Sequence, residues 1–208
     1  EILKVCTLFF EHLAHHGGQE ELKPLLQRPN VKQASLETLM LGLGKDTDEK
    51  MAIQSLKAGV ALINARVIES QDKFATEPVA GKTGLAAKGP QETSAEKMIG
   101  GVISVLKKFE DEKVQIPGVN LLTAAVNADK GFIPQILTQG GTRQAVSNLE
   151  NINTTLEVGK YNIELLASLL KDHDAVKLLV NQNAAQAILS FLSANQNPVE
   201  LAKLAAPI

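Results

Sequence analysis

The feature that most constrains this chain is a helix-breaking mark that returns at almost constant spacing. Gly18, Gly59, Gly101, Gly141 and Asn183 succeed one another at steps of 41, 42, 40 and 42 residues, each between two stretches of helical hydrophobic periodicity. Glycine and asparagine adopt a positive φ at the least cost, so each mark is expected to close one helix and turn the chain sharply into the next. A period of about forty residues predicts an array of similar units. No such unit buries its apolar face alone; stacking on a neighbour does that.

The segments after the marks are also alike. After Gly141 come Gln144, Ala145, Val146 and Leu149; after Asn183 come Gln186, Ala187, Ile188 and Leu192. Leu22, Leu25 and Leu26 come after Gly18, and Val102, Ile103, Val105 and Leu106 after Gly101. Each set predicts a helix of about three turns with one apolar stripe. A longer helical pattern comes next, over Val31–Leu43, Val119–Val126 and Leu156–Leu170, and a short one over Asp172–Leu179 leads into the fifth mark. A short helix, a glycine turn and two longer helices resembles the armadillo repeat, most closely from Phe132 to Leu192 around Gly140 and Gly141. The related HEAT repeat lacks that turn. The resemblance implies an all-α fold without sheet: one right-handed α-α superhelix of about five units over residues 1–208.

The second unit departs from the pattern. Between Gln71 and Glu92, Pro78, Gly81, Gly84, Gly89 and Pro90 oppose a long regular helix. Residues 75–93 therefore read as an inserted flexible loop, and a loop of that length in a helical array is functional or mobile. Glu1–Leu13 resembles the closing helix of an earlier unit and Pro198–Ile208 the start of a later one. Neither has the polar outer face of a capping repeat, so the chain reads as a segment of a longer protein.

Composition narrows the chemistry. Hydrophobic residues make up 44% and aromatics only 3%, with no tryptophan, so the core is expected to be Leu, Ile, Val and Ala. Too few flat side chains remain for stacking on bases, and the 21 basic and 23 acidic residues form no basic stripe, which argues against nucleic acid as a partner. No apolar run approaches the ~20 residues that span a bilayer, so no membrane insertion is expected. A single cysteine, Cys6, forms no internal disulfide, lacks a cationic neighbour and reads as a small apolar residue of a reducing compartment.

No catalytic residue, cofactor site or metal site is expected. Thr76, Gly81, Lys82 and Thr83 imitate the end of a phosphate-binding loop, but that motif needs glycine where Thr76 stands and a strand before it. His12 and His16 share a helical face without a third ligand, and Glu11 precedes His12, whereas a zinc protease has its Glu after the first His; with His15 they read as polar residues closing a helix, and His173 reads as a solvated turn. Glu110, Asp111 and Glu112 are flanked by Lys107, Lys108 and Lys113 and read as a solvated mixed-charge loop between helices.

In the family that the chain resembles, third helices line a groove where an Asn ladder and tryptophans clamp an extended peptide. The matching positions here are Thr38 and Gly42 in the first unit, Glu164 and Ser168 in the fourth, and Ala124 or Ala125 in the third. With no Asn ladder and no tryptophan, the import-type mode for basic peptides is not expected. Small and neutral groups suit a partner helix or domain instead, and Tyr161, on the helix of Glu164 and Ser168, adds an interface-type residue. The resulting expectation is a non-catalytic protein-interaction scaffold in an intracellular, cytoplasmic assembly, cytoskeletal or ciliary by family habit. The alternative is a soluble nuclear-transport-type adaptor or small-GTPase regulator.

Overall fold

The computed structural model describes residues 28–72 and 93–195. The Gly18 mark with its helix, the histidines at 12, 15 and 16, Cys6, the 76–83 segment, all of the 75–93 loop except Thr93, and Pro198–Ile208 lie outside the described residues. Within them every regular element is helical: α1 (Pro29–Gly42), α2 (Glu49–Asn64), α3 (Ser94–Lys108), α4 (Glu112–Ala128), a 3-10 turn (Lys130–Phe132), α5 (Ile133–Gln139), α6 (Gly141–Glu150), α7 (Leu156–Leu169), α8 (His173–Asn181) and α9 (Ala184–Ala194). None of the described residues lies in a β-strand.

Side-chain caps decide where these helices begin. The Asp48 carboxylate accepts from the Met51 N–H at 2.7 Å at the head of α2, Asp111 from Lys113 N–H at 2.8 Å at α4, and the Thr155 hydroxyl from Val158 N–H at 3.3 Å at α7. Each satisfies a donor that the first turn leaves open. At α3 the cap is reciprocal: Thr93 accepts from Glu96 N–H, and the Glu96 carboxylate accepts from Thr93 N–H at 2.7 Å. Thr93, which the sequence places at the end of the flexible loop, is thus the residue that starts a helix. Glu110–Glu112, expected as a loop between helices, carries the α4 cap and its first residue.

Packing joins the helices in two rows. α2 lies against α4 and α4 against α7; behind them α1 contacts α3, α3 contacts α6 and α6 contacts α9. The two rows are tied pairwise, α1 to α2, α3 to α4 and α6 to α7. Between them runs one continuous core, in which Leu56, Ile63, Met98, Ile99, Leu121, Leu122, Ile136 and Leu165 are fully buried. Aliphatic side chains on both rows exclude water and supply the driving force.

The glycine marks do two different jobs. Asn183, at φ 54°, turns one helix into the next as the spacing predicts; at the fourth mark the turn is made by Gly140, at φ 85°, and the counted Gly141 is the first residue of α6. Gly59 and Gly101 do not. α2 runs through Gly59 and α3 through Gly100 and Gly101 without a break. A methyl at Gly59 would stand 2.8 Å from Leu121 Cδ2 of α4, and one at Gly101 3.0 Å from Leu43 Cβ, so these two glycines serve close helix approach. The consequence is that α1 belongs to the row of α3, α6 and α9, and α2 to the row of α4 and α7.

This division predicts opposite outcomes for two neighbouring glycine types. Gly140→Ala has open space around it and keeps only the left-handed backbone penalty, so it should lower stability by about 1 kcal/mol. Gly100→Ala lies inside a helix, where an added methyl would meet Gln139 at an ordinary 3.6 Å, and should raise stability by about 0.5–1 kcal/mol. Urea unfolding midpoints of the two variants measure both.

Candidate interaction surfaces

The shared caps give the front row a common ruler. Counted from Asp48, Asp111 and Thr155, the seventh positions are Ser55, Gly118 and Asn162, all buried. They face inward, where little room exists: a methyl at Gly118 would stand 2.5 Å from Leu106 Cδ2 of α3, and the Ser55 hydroxyl fills the space where Gly42 of α1 has no side chain. The ninth positions, Lys57, Asn120 and Glu164, and the thirteenth, Ala61, Ala124 and Ser168, are exposed or half-exposed. Helical periodicity therefore places these six on one outer face of α2, α4 and α7.

Tyr161, Glu164 and Ser168 belong to that face. Tyr161 is half-buried against the core, Glu164 is half-exposed, and the Ser168 hydroxyl donates back to the Glu164 carbonyl at 2.9 Å. Thr38 and Gly42 do not join them. They sit on α1, Gly42 is buried in the α1–α2 crossing, and its carbonyl accepts from the Thr47 hydroxyl at 2.8 Å. The residues of equal rank, counted from a helix cap, are Lys57 and Ala61 on α2. The signal that would have found them is Asp48 with Glu49 after it, a cap and first-turn acid.

A second surface lies at the edge where the front row begins. The end of α3, the head of α4, α6 and the α6–α7 loop enclose an open polar cleft of about 250 Å³. Its back wall is a connected set of amides. Gln115, almost fully buried, donates to the carbonyls of Leu106 at 2.7 Å and Phe109 at 2.6 Å, closing the open end of α3. Asn148 donates to Gln115 Oε1 at 2.9 Å and to Asn162 Oδ1 at 3.4 Å, and Gln144 donates to Asn148 at 3.1 Å. Asn162, with no exposed surface, donates to Val158 O at 2.8 Å. Two buried amides, Gln115 and Asn162, and the half-buried Asn148 between them are tolerated because each finds a partner.

The titratable group whose acidity shifts among the described residues is Asp129, at the end of α4. The Ser70 hydroxyl and the Gly131 N–H donate to its carboxylate and hold its pKa below the ordinary value, against a smaller opposing effect of burial; the Ser70 N–H adds a third donor. This carboxylate ties the α2 exit to the α4 exit. No group of three or more His, Cys, Asp or Glu gathers in a metal-binding arrangement among the described residues. Nor is any described helix long and apolar enough to cross a membrane.

No protein-family model matches the chain, and no curated protein matches it in sequence. Two solved structures match the chain. The crystal structure of an engineered protein of the Northeast Structural Genomics Consortium superposes with a TM-score of 0.61 at 16% identity, over 97% of this chain and 76% of that one. A second engineered protein of the consortium gives a TM-score of 0.48 at 14% identity, over 97% of this chain and 83% of that one. The first shares the helical fold with this chain.

Asp129 makes stability depend on pH. Its lowered folded pKa adds stability that is present above the unfolded pKa and lost as the pH falls through the folded one. Asp129→Ala should therefore be less stable than the parent at pH 7, by about 1 kcal/mol for a half-exposed carboxylate. That gap should narrow as the pH drops below about 4. Thermal melts of both proteins between neutral and acid pH give the measurement.

Proposed function

We propose that this chain is an armadillo-type right-handed solenoid that acts as a non-catalytic scaffold, docking another protein on the α2–α4–α7 face. The observation that carries this is the shared ruler: three helices packed side by side present Lys57, Asn120 and Glu164 in one rank and Ala61, Ala124 and Ser168 in another. Small residues in the second rank let a partner's backbone come close, and the flanking polar rank offers one cation, one amide and one carboxylate to fix its register.

The import-type alternative gains no support from the same ranks. That mode calls for asparagines where Ala61, Ala124 and Ser168 stand and tryptophans where Lys57, Asn120 and Glu164 stand. A folded helix or domain fits this surface better than an extended lysine-rich peptide. An intracellular assembly, cytoskeletal or ciliary, is the setting that goes with this reading.

Asn120 is exposed at the centre of the face, so arginine there should block docking without disturbing the core. Affinity purification from native cells should recover a stoichiometric protein neighbour with the parent chain, and Asn120→Arg should lower its yield about tenfold at an unchanged melting temperature. Equal recovery by both proteins, or recovery of import receptors and their cargo alone, would overturn the proposal.

A further inference from the structure

The polar cleft at the α6–α7 edge has a chemistry of its own, apart from the α2–α4–α7 face. Its mouth carries Gln144, Ser147, Asn151 and Asn153, neutral groups that each offer hydrogen bonds in both directions. A phosphate would call for clustered arginine or lysine, and the lining supplies Lys107 alone. A sugar would call for an aromatic platform, and the lining contains no aromatic residue. The peptide group, with one donor and one acceptor, is the ligand that side-chain amides match. Behind the mouth, Gln115 and Asn162 lock Asn148 in place, so the Gln144 amide is held before any ligand arrives.

An independent observation lies at the rim. Ile152, between the cleft-lining Asn151 and Asn153, is 96% exposed, and Leu156 at the start of α7 is 41% exposed. Two large apolar side chains standing in water within five residues of one loop contribute nothing to the described core. Glu110 and Glu112 against the single Lys107 leave the lining acidic.

We infer that this cleft is a second docking site, for an extended peptide segment that carries a basic residue beside an aliphatic one. The segment's main chain bonds to the mouth amides, its aliphatic side chain covers Ile152 and Leu156, and its cation faces Glu110. The inference rests on the scaffold reading but uses a different surface, so the two fail separately.

Panning a phage-displayed library of random short peptides on the whole chain tests it, with anisotropy measurements of the selected peptides on Ile152→Asp, Gln144→Ala and Lys57→Glu variants. Selected peptides should pair a basic with an aliphatic residue. Their affinity should fall about tenfold with Ile152→Asp, fall several-fold with Gln144→Ala, and stay unchanged with Lys57→Glu. All three substitutions are at exposed or half-exposed positions, so circular dichroism should match the parent. Failure to enrich any peptide, or enrichment of peptides insensitive to both Ile152→Asp and Gln144→Ala, would overturn the inference. Sensitivity to Lys57→Glu alone would also overturn it while leaving the α2–α4–α7 face standing.

Discussion

The rest of the structure depends on the burial of α4 from three directions. α2 lies on one side of it, α7 on the other and α3 behind it. Leu121, Leu122, Val119 and Ala125 are all but closed to water as a result. Close approach is the condition for this, and small residues meet it: Gly59 admits Leu121 from α4 to α2, and Gly118 admits Leu106 from α3 to α4. The same device recurs further along, where Gly159 of α7 lies against the Phe191 ring and a methyl there would stand 1.9 Å from Cζ. An interior packed to crystal-like density leaves no slack at these crossings.

The two surfaces arise from that packing. Once α1, α3, α6 and α9 cover one side of the front row, the opposite side of α2, α4 and α7 has no helix among those described to cover it. Its small and mixed-polar residues are compatible with water, and equally with a partner. The edge cleft forms because helix ends cannot satisfy their own carbonyls. Gln115 takes two of them at the end of α3, and that requirement draws Asn148, Asn162 and Gln144 into one network. A structural need of the backbone thereby produces an ordered polar wall.

Much of the fold is legible in the sequence, from aliphatic periodicity. α7 and α8 lie close to the limits that the pattern predicts, because around them, at Gly140 and Asn183, a helix breaker does break a helix. Legibility fails where glycine serves packing. A glycine that relieves a crossing and a glycine that turns the chain look the same in one sequence, and Gly59 and Gly101 read as turns for that reason. The error carries Thr38 and Gly42 onto the candidate face and leaves Lys57 and Ala61 off it. Caps are the better ruler, since Asp48, Asp111 and Thr155 mark helix starts by a hydrogen bond that has one function. The edge cleft is not legible at all: Gln115, Asn148 and Asn162 are distant in sequence and meet only when α4, α6 and α7 pack.

Cysteine cross-linking measures the proximity of α2, α4 and α7 on the front face. In a chain with Cys6 replaced by serine, cysteine pairs are placed at positions 57 and 120, 120 and 164, and 38 and 164, and treated with a short bismaleimide. Neighbouring helices in contact lie about 8–10 Å apart. The first two pairs should therefore close rapidly, and the third should not, because α1 and α7 are not packed against each other. Rapid closure between positions 38 and 164, with none between 57 and 120, would show that α1 and not α2 lies in the row of α4 and α7.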